Sequence, residues 1–278
     1  VFDYGIVILS YNHPELTAKT VRSVLQFHFP KNKILLVHNG SDLKHRQMLT
    51  TQFPDINHHE IQFNQGFTGG ANAGLTAAFN THSEILFLTN DTEVITLPPS
   101  FPKNLDYFSI KIWKRNTNTI DSIIGEINLK TGQLRHIREI NSPLKKNCAW
   151  YIPGTAFGIK KTAFLTLKGF NESFHTYWED VDMSLRAHHL GLRIGTEPDF
   201  EVKHRIGKTC HKHRFYTLYL FQRNRQRVLK IHGQSEFHFY IHFYFDMLKL
   251  LLRILSESNK STNLRFWWKA LRDTIITA

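Results

Sequence analysis

Carboxylates, imidazoles and clustered glycines stand in this chain where they could handle an anionic ligand. The densest group is Glu179-Asp180-Val181-Asp182, followed by Arg186. Asp182 and Arg186 are four residues apart, the spacing of an ion pair along one helix face. That leaves Glu179 and Asp180 at the helix start, where carboxylates complement the dipole. Beside Tyr177 and Trp178, the same pair also suits a general base in an aromatic-lined sugar pocket.

A second carboxylate, Asp91, follows the apolar run Ile85-Leu86-Phe87-Leu88 in Thr89-Asn90-Asp91-Thr92. At the mouth of a buried strand it could share a hard cation such as Mg²⁺ or Mn²⁺ with a diphosphate; equally, Asn-Asp is a common turn pair. His204, after the strand-like Phe200–Lys203, could add an imidazole ligand. Cys210, His211 and His213 hint at zinc but lack a ligand spacing that supports it. The segment Asn64-Gln65-Gly66-Phe67-Thr68-Gly69-Gly70-Ala71-Asn72-Ala73-Gly74 reads as a glycine turn opening a helix. Closely spaced amides there could cradle phosphate, or the glycines could serve the turn alone. The Gly-Lys-Ser/Thr ending of a P-loop is missing.

The elements that must position these groups alternate. Strands are expected at Tyr4–Ser10, Lys33–His38, His59–Phe63 and Ile85–Thr89, with helices at Pro14–Gln26, Asp42–Gln52 and up to about Phe79. That rhythm predicts a parallel sheet with its ligand crevice at the carboxyl ends of the strands. Residues 98–147 give a weaker pattern, with one hairpin, Ile123–Asn128 and Gln133–Ile137, around Lys130-Thr131-Gly132. A strand near Ala149–Ile152, a Pro153-Gly154 turn and a helix from Lys161 lead to the acidic segment, whose helix runs to His189 with Gly191 as its cap.

The 278 residues are 41% hydrophobic, enough for a substantial core. A net charge of +12 favours anionic partners such as phosphates, nucleic acid or an acidic membrane surface. Two cysteines make no disulfide framework, which fits a reducing cytoplasm. Val1–Ser10 lacks the basic head and cleavage site of a secretory leader. Phe237–Leu255, the most apolar stretch, is interrupted by Asp246, Lys249 and Arg253, against a membrane span.

In this order, the segments resemble the family 2 glycosyltransferases of the GT-A fold, especially the bacterial rhamnosyltransferase-like branch. The resemblance covers about residues 4–232. It rests on Val7–Asn12, Val37–Ser41, Asn64–Gly74, Phe87–Thr92, Ile152–Phe157, Gly169–Glu172, Tyr177–Arg186 with Gly191, His204 and Gln222-Arg223-Asn224-Arg225. It implies an α/β Rossmann-like fold with a mostly parallel central sheet flanked by helices. Residues 1–232 would be the catalytic domain, with a nucleotide-binding half over about 1–97 and an acceptor half over 98–232. A helical C-terminal extension, 233–278, would follow.

The resemblance implies an inverting, divalent-metal-dependent hexosyltransferase that moves a sugar from a UDP- or dTDP-sugar to an acceptor hydroxyl. Tyr11, Asn12, Asn39, Gly66, Gly69, Asn72 and Asn90 would bind the nucleotide. Asp91 and His204 would hold Mn²⁺ or Mg²⁺. Asp180 would be the base, with Glu179 orienting it or binding a sugar hydroxyl, and Trp178 and Gly154 would meet the acceptor. His38 stands where the family usually has an Asp that bonds the base, which leaves uracil and thymine both open. Thr89 stands at the first acidic or amide position of the metal motif.

The aromatic and basic tail, with Phe237, Phe239, Tyr240, Phe243, Tyr244, Phe245, Lys249, Arg253 and Phe266-Trp267-Trp268-Lys269, could lie on an anionic membrane or pack on the protein or a second copy. Family habit points to an acceptor in bacterial surface polysaccharide, lipopolysaccharide or cell-wall glycan, on a lipid-linked intermediate at the inner face of the cytoplasmic membrane. Two rival readings are a degenerate nucleotide-sugar-binding module and a basic nucleic-acid-binding protein. The second conflicts with acidic groups in the expected groove, so no nucleic-acid partner is expected.

Overall fold

A computed structural model describes residues 2–205, 214–233, 236–255, 264–265, 267–269 and 271–272. Cys210, His211, His213 and Phe266 lie outside the described residues, and with them the zinc reading.

The first strand, β1 (Gly5–Ser10), is buried at every position, as a strand covered on both faces must be. It pairs in parallel with β2 (Ile34–Asn39) and β4 (Glu84–Thr89), and β3 (Asn57–Ile61) extends the sheet beyond β2. Side chains alternate across this sheet and so divide the core in two. Ile6 and Ile8 join Ala18, Val21 and Val24 of α1 (Pro14–Leu25) and Leu49 of α2 (Leu43–Gln52). Val7 and Leu9 join Ala71 and Leu75 of α3 (Gly66–Ala78).

Beyond β4 the sheet becomes mixed. It runs β3-β2-β1-β4-β11-β6-β12-β5, with β7 (Ile120–Ser122) on β6. Here β5 is Thr92–Thr96, β6 Tyr107–Lys114, β11 Ala156–Lys160 and β12 Ile194–His204. The parallel order expected from the sequence holds for the first four strands and for β6 with β12, while β11 runs antiparallel to both its neighbours. Strands β5, β6, β7 and β11 fell outside the sequence expectation: β5 and β11 pair only with strands far away in the chain, β6 pairs mainly with such strands, and β7 is a three-residue strand on β6.

The expected hairpin forms as β8 (Ile124–Asn128) and β9 (Leu134–Ile137), and β10 (Cys148–Tyr151) completes a separate three-stranded sheet. Next come α4 (Lys161–Leu167) and α5 (Glu179–His189). Gly191 ends α5 as expected: at φ 68 its N–H reaches His188 O, and Leu192 N–H reaches Ala187 O. The predicted Asp182–Arg186 pair forms at 2.8 Å, and His232 takes the other Asp182 oxygen at 2.9 Å.

Two long helices, α6 (Arg214–His232) and α7 (Glu236–Leu255), follow. Arg225 ties both to the rest, bonding Thr131 O in the β8–β9 turn and Asp246 on α7. No described helix is long and apolar enough to cross a membrane.

Candidate active site

A cleft of about 580 Å³ opens at the carboxyl ends of β1, β2, β4 and β12. Tyr11, Asn39, Gly66, Asn90, Asp91, Gly154, Trp178, Glu179, Asp180 and His204 all line it. Asn12, Gly69 and Asn72 are not among its lining residues. Asn72 is occupied elsewhere: its amide donates to Phe170 O and Glu172, and its Oδ1 accepts from Phe170 N–H. Gly69 lies against the Gln65 side chain. Asn12 supports the loop after β1, its N–H on Ser41 Oγ at 3.0 Å and its carbonyl accepting from Asn90 at 3.4 Å.

The start of α3 is not the open phosphate cradle read from the glycines. Gln65 N–H donates to Asn39 Oδ1, Gly66 N–H to Asn64 Oδ1 and Thr68 N–H to His175 O. Amides already bonded within the protein are not free for a phosphate. The glycines serve close packing instead: a Cβ on Gly74 would meet Val37, and one on Gly70 would meet Asn39. Asn39, 2% exposed, reaches the cleft wall with its amide engaged at Gly66 O and Asn64.

His38 lies within the protein and away from the cleft lining. Its Nε2 meets Nδ1 of the stacked His58 ring at 2.9 Å, and His58 Nε2 meets Phe53 O at 3.0 Å. A carbonyl only accepts, so His58 donates there and its Nδ1 accepts from His38. Burial, then the neighbouring His58 and Arg46, lower the His38 pKa to about 4. His38 is therefore a neutral structural partner rather than a base-reading group.

At the end of β4, Asp91 Oδ1 accepts from the Thr89 hydroxyl at 2.8 Å, and Oδ2 faces His204 Nε2 at 3.3 Å. Burial pushes the Asp91 pKa up, but the hydrogen bond and charge of His204 and the Thr89 hydroxyl outweigh it and hold it below the ordinary value. Thr89 thus orients the carboxylate. No group of three or more metal-ligating side chains gathers among the described residues.

Across the cleft, Asp180 Oδ2 accepts from Gly154 N–H at 3.0 Å and Oδ1 from Val181 N–H at 2.8 Å. Ser184 fixes α5 beneath it, donating to Asp180 O and accepting from Ile152 N–H. Glu179 is 6% exposed, and its Oε2 is buried with no hydrogen-bond partner. Burial, then the charge of Asp180, raises the Glu179 pKa well above normal; burial also raises that of Asp180, against its two backbone bonds. Negative charge therefore settles on Asp180 before Glu179.

Trp178, expected to meet the acceptor, is 2% exposed and packs among Ile127, Phe174 and Val181, its ring 5.3 Å from that of Phe221. It anchors the loop rather than offering a sugar platform. His175, Tyr177 and Trp178 all have positive φ, at 65, 68 and 72. Left-handed backbone costs a non-glycine residue about 1–2 kcal/mol, so this loop is held in shape from outside.

His136, Tyr151, His175, Tyr216, Thr217, Leu220 and Phe221 also line the cleft without having been singled out for chemistry. His136 lies on β9, 3.7 Å from Asp121. Its hairpin was legible, but nothing local told that one edge of it faces α5.

Residues 5–101 match the family model described as glycosyl transferase family 2. No curated protein matches the chain. Among solved structures, the chain is similar to the mannosyltransferase PcManGT from Pyrobaculum calidifontis in complex with GDP-Man and Mn²⁺, at 13% identity and a TM-score of 0.54, covering 99% of this chain and 76% of that one. It is also similar to S. aureus TarS 1–349 in complex with UDP, at 16% identity and a TM-score of 0.55, covering 99% and 80%. Against a longer S. aureus TarS chain the identity is 15% and the TM-score 0.53, covering 94% of this chain and 45% of that one. At these identities the likeness shows the fold, the GT-A arrangement of a central sheet flanked by helices.

Proposed function

We propose that this chain, whose residues 5–101 match the glycosyl transferase family 2 model, is an inverting transferase that moves a sugar from a UDP- or dTDP-sugar to an acceptor hydroxyl, with Asp180 as base. The observation that carries this is the unequal support of two adjacent carboxylates: Asp180 accepts two backbone N–H bonds, whereas Glu179 Oε2 has no partner. Asp180 is the one able to hold charge and take a proton.

In the reaction, the acceptor hydroxyl attacks the anomeric carbon, its proton passes to Asp180, and the bond from that carbon to the diphosphate breaks on the opposite face. One displacement inverts the configuration. Glu179, beside the base and slower to ionise, is suited to a hydrogen bond with a sugar hydroxyl.

Asp91 and His204, a carboxylate and an imidazole 3.3 Å apart, would be the side chains that hold a divalent cation. Such a cation supplies positive charge for the departing diphosphate. PcManGT, by its description, binds Mn²⁺ with its nucleotide sugar, and S. aureus TarS binds UDP; both are consistent with this reading. Tyr11 and Asn90, on the cleft wall beside Asp91, are assigned to the nucleotide, and Gly154 to the acceptor side.

The division into a nucleotide half over 1–97, an acceptor half over 98–232 and a helical extension belongs to the same proposal, as does the rhamnosyltransferase-like branch. We assign the acceptor to a lipid-linked glycan at the inner face of the cytoplasmic membrane. Its support is α7, where Ile241, Tyr244, Phe245, Leu248, Leu252 and Leu255 are exposed at three- and four-residue spacing, with Lys249 among them. Arg265 and Lys269, also exposed, follow in the chain, and the net charge of +12 suits anionic lipid.

The test is a calorimetric panel of nucleotide sugars with and without Mn²⁺, followed by transfer assays that read the anomeric configuration of the product. Metal-dependent binding and inverted product are expected. Absence of any response to every donor would overturn the proposal.

A further inference from the structure

Asn224 is wholly buried on α6 and is not among the residues lining the cleft. Its side chain reaches the loop before α5. Nδ2 lies 2.9 Å from Phe174 O, 2.8 Å from Thr176 O and 2.8 Å from Tyr177 O. That nitrogen carries two hydrogens, so at least one is shared between carbonyls. Its Oδ1 accepts from Arg223 Nε at 2.9 Å, which fixes the amide's orientation, and Arg223 Nη2 adds a bond to Phe174 O at 3.1 Å.

The gripped segment runs directly into Glu179 and Asp180. Its residues His175, Tyr177 and Trp178 have positive φ, a backbone that in non-glycine residues survives only where the surroundings over-determine it. On its other side, Thr68 N–H at the start of α3 donates to His175 O. The loop is thus held between a helix of the nucleotide half and a helix of the C-terminal part. Hydrophobic packing of Trp178 alone cannot select the carbonyl directions; hydrogen bonds can.

We infer that Asn224 is a positioning residue, whose amide holds residues 174–177 in the backbone conformation that aims Asp180 and Glu179 into the cleft. A carboxylate there would present lone pairs to three carbonyls and repel them, while alanine would release them.

The role rests on the transferase reading for its kinetic consequence, but its structural consequence is readable without turnover. Asn224→Ala and Asn224→Asp are compared with Leu229→Ala, a buried position on the same helix that packs toward α7. Amide hydrogen exchange is measured across 173–181, with nucleotide affinity, kcat and thermal unfolding alongside. The expected result is exchange at least tenfold faster at 175–180 in both Asn224 variants. A kcat about a hundredfold lower should accompany it, with nucleotide affinity within threefold of the parent. Leu229→Ala should lose as much thermal stability yet leave that exchange and kcat within threefold.

Unchanged exchange at 175–180 in the Asn224 variants would overturn the inference whatever reaction the site performs. So would an equal kcat loss in Leu229→Ala. A parent protein without transfer activity would overturn the functional proposal instead, and the exchange comparison would still decide the clamp.

Discussion

The amide of Gly154 donates to Asp180 Oδ2 at 3.0 Å, across twenty-six residues of chain, and so sets the direction of one carboxylate in a buried pair. The adjacent Glu179 has no such support for Oε2. From that difference follows which group carries the charge and which variants should abolish transfer.

Replacing Asp180 with Asn should lower kcat by about 10²–10⁴-fold, the usual contribution of a general base, and leave nucleotide binding near normal. Glu179→Gln should be milder. Transfer rates with calorimetric binding check both, and near-normal turnover in Asp180→Asn would move the base elsewhere.

The pH dependence has two opposite signs. Glu179 and Asp180 have raised pKa values, so in the window above the ordinary carboxylate range the folded state binds more protons than the unfolded one. Stability falls there as pH rises. Glu179→Gln should remove much of that fall, raising Tm at pH 7–8 more than at pH 4. Asp91 is lowered, so its contribution is present above the ordinary range and is lost as pH falls through its folded value. Asp91→Asn should therefore lessen acid sensitivity in thermal melts taken below about pH 4.

Metal binding should depend on Asp91 and His204 and be tuned by Thr89. Asp91→Asn or His204→Ala should abolish the stabilisation by Mn²⁺ with nucleotide. Thr89→Val, which removes the 2.8 Å bond to Asp91, should weaken metal affinity by about 10–100-fold, as loss of an orienting partner does. Titration calorimetry reads all three, and full Mn²⁺ affinity in Asp91→Asn would exclude this pair.

Gly66 should resist substitution. At φ 72, an added Cβ would come within 2.4 Å of His175 Nδ1 and O. The backbone conformation alone costs an alanine about 1–2 kcal/mol, and the contact adds to it. A chemical denaturation midpoint unchanged in Gly66→Ala would show that the loop moves aside freely.

The α7 stripe should matter for membranes but not for folding. Leu248 and Leu252 are 52% and 60% exposed, so changing both to Glu should leave Tm within a degree or two while lowering sedimentation with anionic vesicles severalfold. Parent protein that ignores such vesicles but dimerises through this face would assign the stripe to a second copy.

Much of the first hundred residues was legible, because strands covered on both faces show as apolar runs and their helices as periodic stretches. Val7-Ile8-Leu9 and Leu86-Phe87-Leu88 announce their burial without help from distant contacts. The Glu179-Asp180 pair, the Gly191 cap and the Asp182–Arg186 bond were likewise local patterns. Strands β6 and β11 were not, since their pairing joins residues some fifty positions apart.

The roles of individual polar side chains divided along the same line. Residue types and order determined that acidic groups, an imidazole and a glycine-started helix would meet at strand ends, because periodicity and turn chemistry are properties of neighbouring residues. Only the tertiary structure decided which of these groups remain available. The amides at the α3 start bond to Asn39, Asn64 and His175, Trp178 at the cleft wall is buried to 2% exposure by its packing, His38 pairs with His58, and Asn224 grips the loop before Asp180. Hydrogen-bond satisfaction and burial are settled by partners brought in from far along the chain.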